Sequence, residues 1–215
     1  MRFLFVMLGD EPAMSPEATF YQRLLAHDVV ELSEQAERAI SERSRAAGFD
    51  AVVMPALAMA RLDAARGIFD GASIAAFGAV LREVLDELED DADTSARVGA
   101  PPQVLCVRAR GPLDALAAEL LVRCLRADGI TASSEPGKAE HPAVVCVVSL
   151  GGDVPQIVLR RLRRRYAEAV FIGCLWSKPD ASSAARDDIT LTTSLEQAVA
   201  LCRERSLPGP VAAGD

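Results

Sequence analysis

Apolar residues recur every three or four positions through the first ninety residues, the spacing of helices that bury one face. Ser15-Pro16-Glu17 reads as a helix start, with Ser15 as cap and Pro16 in the first turn, and Phe20, Leu24 and Leu25 follow at helical intervals. A second helix is predicted from about Val29 to Ala46, with Leu32, Ala36, Ala39 and Ile40 on one face and Gly48 ending it. A third is predicted over roughly Asp50 to Ala65, with Val53, Leu57, Ala60 and Ala64 inward and Gly67 closing it. Pro55 then falls in the first turns, where its missing N–H costs least. A fourth, Ser73 to Leu88, places Phe77, Val80, Leu81, Val84, Leu85 and Leu88 along one stripe. Four amphipathic helices joined by short turns predict a bundle over residues 15–88.

The period changes after residue 102. Residues 89–102, acidic, small and ending in Pro101-Pro102, read as an interdomain linker. Beyond it, short apolar runs at 103–107, 143–150, 170–175 and 188–192, with a weak one at 130–133, alternate mostly with helical faces. Leu113, Leu116, Ala117, Leu120, Leu121 and Cys124 make one such face, Pro155 to Tyr166 a second, and a helix capped by Ser194 a third. Strands alternating with helices predict an α/β domain over 103–206, a five-stranded parallel sheet in the flavodoxin-like order 2-1-3-4-5. Residues 1–14 form an N-terminal stub and 207–215 a tail.

Charge separates the two halves. Residues 1–95 carry 18 acidic against 8 basic side chains, whereas residues 96–215 carry 13 against 15. The acidic half would repel a phosphate backbone, so nucleic-acid binding is not expected. Aromatics are only 5% of the chain, so the cores must come from Leu, Val, Ala and Ile. Cys106, Cys124, Cys146, Cys174 and Cys202 lie far apart in sequence within apolar runs, which predicts reduced, buried thiols. The apolar start, Met1 to Leu8, is too short to span a bilayer, and the chain as given reads as soluble.

The stretch from His27-Asp28 through Glu42, then Asp50-Ala51-Val52-Val53-Met54-Pro55-Ala56-Leu57 and Arg66-Gly67, resembles the helical cap that precedes cobalamin-binding domains. The second half resembles the Rossmann-like domain of that family: Ser149-Leu150 falls in its Ser-x-Leu region, and Gly173 near its later Gly-Gly motif. The family's Asp-x-His-x-x-Gly signature is missing. The loop after the first strand reads Arg108-Ala109-Arg110-Gly111-Pro112-Leu113-Asp114, and the chain's two histidines, His27 and His141, lie elsewhere. The cap also lacks the aromatic residues that shield an upper ligand. The resemblance thus implies a degenerate module without cobalt ligation by histidine. Leu8-Gly9-Asp10-Glu11-Pro12, followed by Phe20-Tyr21-Gln22-Arg23-Leu24-Leu25-Ala26, is similar to the cytoplasmic C-terminal region of autoinducer-2 exporter family permeases, over nearly the whole chain. That similarity implies a place at the cytoplasmic face of the inner membrane, the transmembrane portion of a permease as partner, and Phe3-Leu4-Phe5-Val6 as the end, or a truncated remnant, of a membrane span.

No nucleophile–base pair and no metal cluster stand out, so neither catalysis nor a cofactor is expected. Gly151-Gly152-Asp153 lies before a helix where backbone amides gather, a setting for either a phosphate or a plain tight turn. Ligands of open α/β sheets bind beyond the carboxyl ends of the strands. Those ends supply Arg108, Arg110, Ser149, Gly151, Trp176, Ser177 and Thr193 as candidate contacts for a small-molecule or anionic ligand, with the alternative that Trp176 packs on the bundle. Arg160, Arg161, Arg163, Arg164 and Arg165 crowd one helix, either as a solvated face or as a contact for anionic lipid or for the acidic bundle. The expected function is a non-catalytic regulatory or ligand-sensing domain of a bacterial permease, acting either as a single copy or as a homo-oligomer. The alternatives are a cobalamin sensor or carrier binding base-on, and an enzyme with an unrecognised site.

Overall fold

The computed structural model describes residues 14–90, 101–176 and 189–206. The expected stub up to residue 13, linker positions 91–100, Ser177 and the tail lie outside the described residues.

The first half consists of α1 (Pro16–Ala26), α2 (Val29–Ser41), α3 (Arg45–Ala65) and α4 (Gly71–Asp90). Four helices stand where the periodicity places them, but the boundary between the second and third differs. α2 stops at Ser41, and Ser44 caps α3 by accepting the Ala47 N–H at 3.2 Å. That side-chain cap satisfies an amide the helix start would otherwise orphan, and it outweighs Gly48 as a stop signal. Gly48 sits inside α3, where α2 passes so close that a Cβ would lie 2.8 Å from the Ala39 carbonyl oxygen. Pro55 is consequently deep within α3 rather than in its first turns.

The second half is β1 (Val104–Arg108), α5 (Pro112–Ala127), β2 (Ala132–Ser133), β3 (Val144–Ser149), α6 (Gln156–Arg165), β4 (Val170–Leu175), β5 (Thr190–Thr192) and α7 (Leu195–Ser206). The strands are all parallel, in the order β2-β1-β3-β4-β5. Strand β3 is buried along its whole length, as a central parallel strand requires.

Two apolar cores flank the sheet. The smaller, on one face, gathers Leu105, Val107, Val145, Val147, Phe171 and Leu175 under Leu159 of α6. The larger runs from the opposite face (Val104, Cys106, Val148, Ile172) through α5 and α7 into the bundle, where Phe20, Leu24, Phe49, Leu57, Phe77 and Leu81 are buried in the same cluster. Helices α3 and α4 thus lie on α5 and α7, and the bundle forms an outer layer on one side only. α4 runs alongside α5, with Gly78 against Leu116, Arg82 bonded twice to Glu119, and Arg123 paired with Asp86 and Glu89. The Arg-rich helix α6 lies across the sheet from this layer, so its arginines do not meet the bundle of their own chain.

Candidate functional site

In this strand order the chain leaves β1 toward β2 and leaves β3 toward β4, in opposite directions. The loops after β1 and β3 therefore part at the carboxyl edge and open a crevice between them, the usual ligand position of an open α/β sheet. Here the crevice has a volume of about 640 Å³. Arg110, Gly111, Pro112, Leu113 and Asp114 form one side, and Ser149, Gly151, Gly152 and Asp153 the other. Arg61, Ala64 and Ala65 of α3 and Ile74 of α4 make the remaining wall, so the bundle completes the site.

Asp114 ties the two loops together. It is 5% exposed, and its carboxylate accepts the Leu150 N–H at 2.9 Å and the Arg110 N–H at 3.0 Å. Burial pushes this carboxyl above the ordinary range, opposed by those two bonds and by the charges of Arg61 and Arg110. Ser149, also buried, accepts the Gly151 N–H at 3.1 Å and so shapes the turn after β3. The Arg110 guanidinium bonds Asp153 at 2.6 Å across the mouth. Two arginines therefore face two carboxylates in the crevice. The crevice thus offers no surplus positive charge to the anionic ligand that the sequence allows, because Arg110 is paired and Arg108, though exposed at the end of β1, is not part of the lining.

Of the seven candidate ligand residues, Arg110, Ser149 and Gly151 meet in this crevice and Arg108 does not. Trp176 is turned toward the bundle, where its indole N–H donates to Asp50 at 3.3 Å. Thr193 is exposed, with its backbone N–H bonded to Gln197 at 3.2 Å. Arg61, Asp114 and Asp153 were not among the expected residues. Asp114 had a local signal: it follows Gly111-Pro112 in the first turn of a helix, where a carboxylate accepts backbone N–H groups.

Asp50 is the matching clasp on the bundle side. Besides the indole, it accepts the N–H groups of Leu195 at 2.9 Å and Glu196 at 3.1 Å, capping α7 from a distant part of the chain. Burial raises its carboxyl above the ordinary range despite these bonds.

A second crevice of about 680 Å³ lies at the far end of α5, between the start of α3 and α7. Its arginines are committed: Arg123 to Asp86 and Glu89, Arg126 to the Ala132 carbonyl, Arg203 to Asp128, and Arg45 to the Leu88 carbonyl. It also sits at the amino edge of the sheet, away from the switch point.

The cysteines are free and buried, as expected, but the fold gathers what the sequence separates. Cys106 and Cys146 pair in register on β1 and β3, and the Cys146 sulfur lies 3.4 Å from that of Cys202 on α7. Hydrogen bonding with the Cys106, Cys174 and Cys202 thiols, then burial, holds the Cys146 thiol well above its ordinary range. Thiols kept protonated are poor nucleophiles. Among the described residues no group of three or more His, Cys, Asp or Glu side chains could hold a metal ion. Neither histidine lines the crevice: His27 caps the end of α1, and His141 precedes β3. With the Asp114 oxygens already bonded to backbone, the crevice does not suit cobalamin held through a protein imidazole.

No family model matches the chain, and no curated protein is similar to it in sequence. Among solved structures, the methanol:cobalamin methyltransferase complex MtaBC from Methanosarcina barkeri is 12% identical, with 96% of this chain and 89% of that chain covered and a TM-score of 0.40. A cobalamin-binding protein from Desulfitobacterium hafniense DCB-2 is 11% identical, with 90% and 99% covered and a TM-score of 0.35. At such scores the fold class stands on the chain's own strand order and helix layers, and no helix of the described residues is long and apolar enough to cross a membrane.

Proposed function

We propose that this chain is a non-catalytic ligand-sensing module whose ligand site is the crevice between the loops after β1 and β3. The observation that carries the reading is the wall contributed by α3 and α4: Arg61, Ala64, Ala65 and Ile74 face the same space as Arg110, Asp114 and Asp153. A ligand held there touches both the sheet domain and the bundle, so its binding energy bears on how the two are held together. Two guanidiniums opposite two carboxylates suit a small polar molecule of balanced charge, a zwitterion or a polyol, that both donates and accepts hydrogen bonds. The small apolar side chains Ala64 and Ala65 leave room for its carbon skeleton. In the permease reading, which rests on residue patterns in the sequence, this module is the regulatory end of a transporter.

The second reading is a cobalamin sensor or carrier that binds base-on, with no protein ligand to cobalt. It is favoured by a bundle that borders the carboxyl edge of a 2-1-3-4-5 sheet, with no imidazole lining the crevice. The two readings separate in one set of titrations. Amino acids, polyols and hydroxocobalamin are each added to the protein while amide chemical shifts and melting temperature are followed. The sensing reading expects a zwitterion or polyol to perturb the amides of 110–114 and 149–153, and Arg61→Ala together with Asp153→Ala to abolish the effect. Perturbation by hydroxocobalamin alone, without a histidine-ligated spectrum, would establish the base-on alternative, and silence from all three classes would remove both.

A further inference from the structure

We propose that the outer face of α6 docks on an anionic phospholipid surface. Ile157, Arg160, Arg161 and Arg164 follow at i, i+3, i+4 and i+7, one stripe of the helix, and all four are exposed. Ile157, at 77%, is the most exposed large hydrophobic side chain among the described residues. The opposite side of the helix is spent on the sheet, where Leu159 is 2% exposed. Two further arginines are fixed beside the stripe. Arg163 lies over the Phe171 ring at 5.5 Å, and Arg165 lies over Tyr166 at 5.3 Å while bonding the Pro136 carbonyl. The helix has five arginines and no carboxylate, and Arg160, Arg161 and Arg164 have no ion pair among the described residues.

Charge is also segregated by layer. Residues 16–90 carry 14 acidic against 7 basic side chains and lie beyond the sheet and the α5–α7 layer from α6. With packed layers about 10 Å apart, the acidic bundle stands more than one Debye length, about 8 Å at physiological salt, from a plane touching α6. A flat anionic surface thus meets the arginines without meeting the bundle. A lipid surface fits better than an acidic protein or a nucleic acid because the arginine stripe is headed by a bare isoleucine, which gains by entering the boundary between headgroups and acyl chains. This inference does not depend on the crevice.

The test is sedimentation of the intact protein with vesicles of phosphatidylcholine containing 30% phosphatidylglycerol, and with pure phosphatidylcholine. Binding is expected only to the anionic vesicles and is expected to be lost in high salt. The triple variant Arg160→Ala, Arg161→Ala, Arg164→Ala should bind about a hundredfold more weakly, taking roughly fivefold per basic residue near such a surface. Ile157→Ser should weaken binding less while leaving its salt dependence unchanged. Since all four side chains point outward, an unaltered circular dichroism spectrum confirms folding of each variant. Equal binding to neutral vesicles, or a triple variant that binds like the parent, overturns the proposal. Binding to duplex DNA without vesicle binding would assign the face to nucleic acid, and arginine-dependent self-association without it would assign the face to the bundle of a second copy; both overturn the lipid surface.

Discussion

Asp114 and Asp50 do similar work at different places: each is a carboxylate from one segment that satisfies backbone N–H groups of another. Burial is the larger influence on both, so each keeps its proton to a higher pH in the folded protein than in the unfolded chain. The folded state then binds more protons between the two pKa values, and stability from these groups falls as pH rises through that window. Their contribution is complete below the unfolded carboxyl value of about 3.9 and is lost as pH climbs through the folded value. Urea unfolding of the parent and of Asp114→Asn between pH 4 and pH 7 should show a shallower decline for the variant, apart from a constant offset for the lost bond. Parallel curves would mean that Asp114 titrates alike in both states. The place of Asp114 in the first turn of α5 was legible in the sequence, but the long-range bonds were not, because Leu150 lies 36 residues from Asp114 and Leu195 lies 145 from Asp50.

At the scale of elements, the sequence carried most of the fold. The switch from a period of three to four residues to short apolar runs marked where the bundle ends and the sheet begins, and the strand order followed from the alternation. The failure at α2 and α3 is instructive. Gly48 carries the ordinary signal of a helix end, and Ser44 carries the competing signal of a helix start. What Gly48 provides is closeness, since α3 rests there on the Ala39 carbonyl. Alanine ordinarily gains about 1 kcal/mol over glycine within a helix. At this crossing the new methyl would meet backbone that has no rotamer to change, and overpacking of that kind costs about 1–3 kcal/mol. Gly48→Ala should therefore destabilise the protein in chemical denaturation, and a gain in stability would refute the close crossing. Side-chain neighbours such as Arg61 and Asp153 were out of reach for a different reason: periodicity locates a face but not which two faces meet.

Across the whole molecule, the two halves that differ so clearly in charge and periodicity share the larger core. Leu120, Leu121 and Leu125 of α5 are buried in the same cluster as Leu57 and Leu81 of the bundle. A fragment of residues 103–206 would leave part of that surface in water, at about 25 cal/mol for each Å² uncovered. It is expected to unfold at a lower temperature than the full chain and to associate at high concentration. A fragment as stable as the parent would show that the bundle adds nothing to the sheet domain's stability.

The clasp at Asp50 gives the molecule an optical handle. The chain has a single tryptophan, and that indole is held by the bundle while belonging to β4's end. Its emission therefore reports one event without labelling: when α3 leaves α7, the ring loses its carboxylate partner and its cover together and meets solvent. Any ligand, lipid or pH change that loosens the bundle registers as a shift to longer wavelength, and one that tightens it does not.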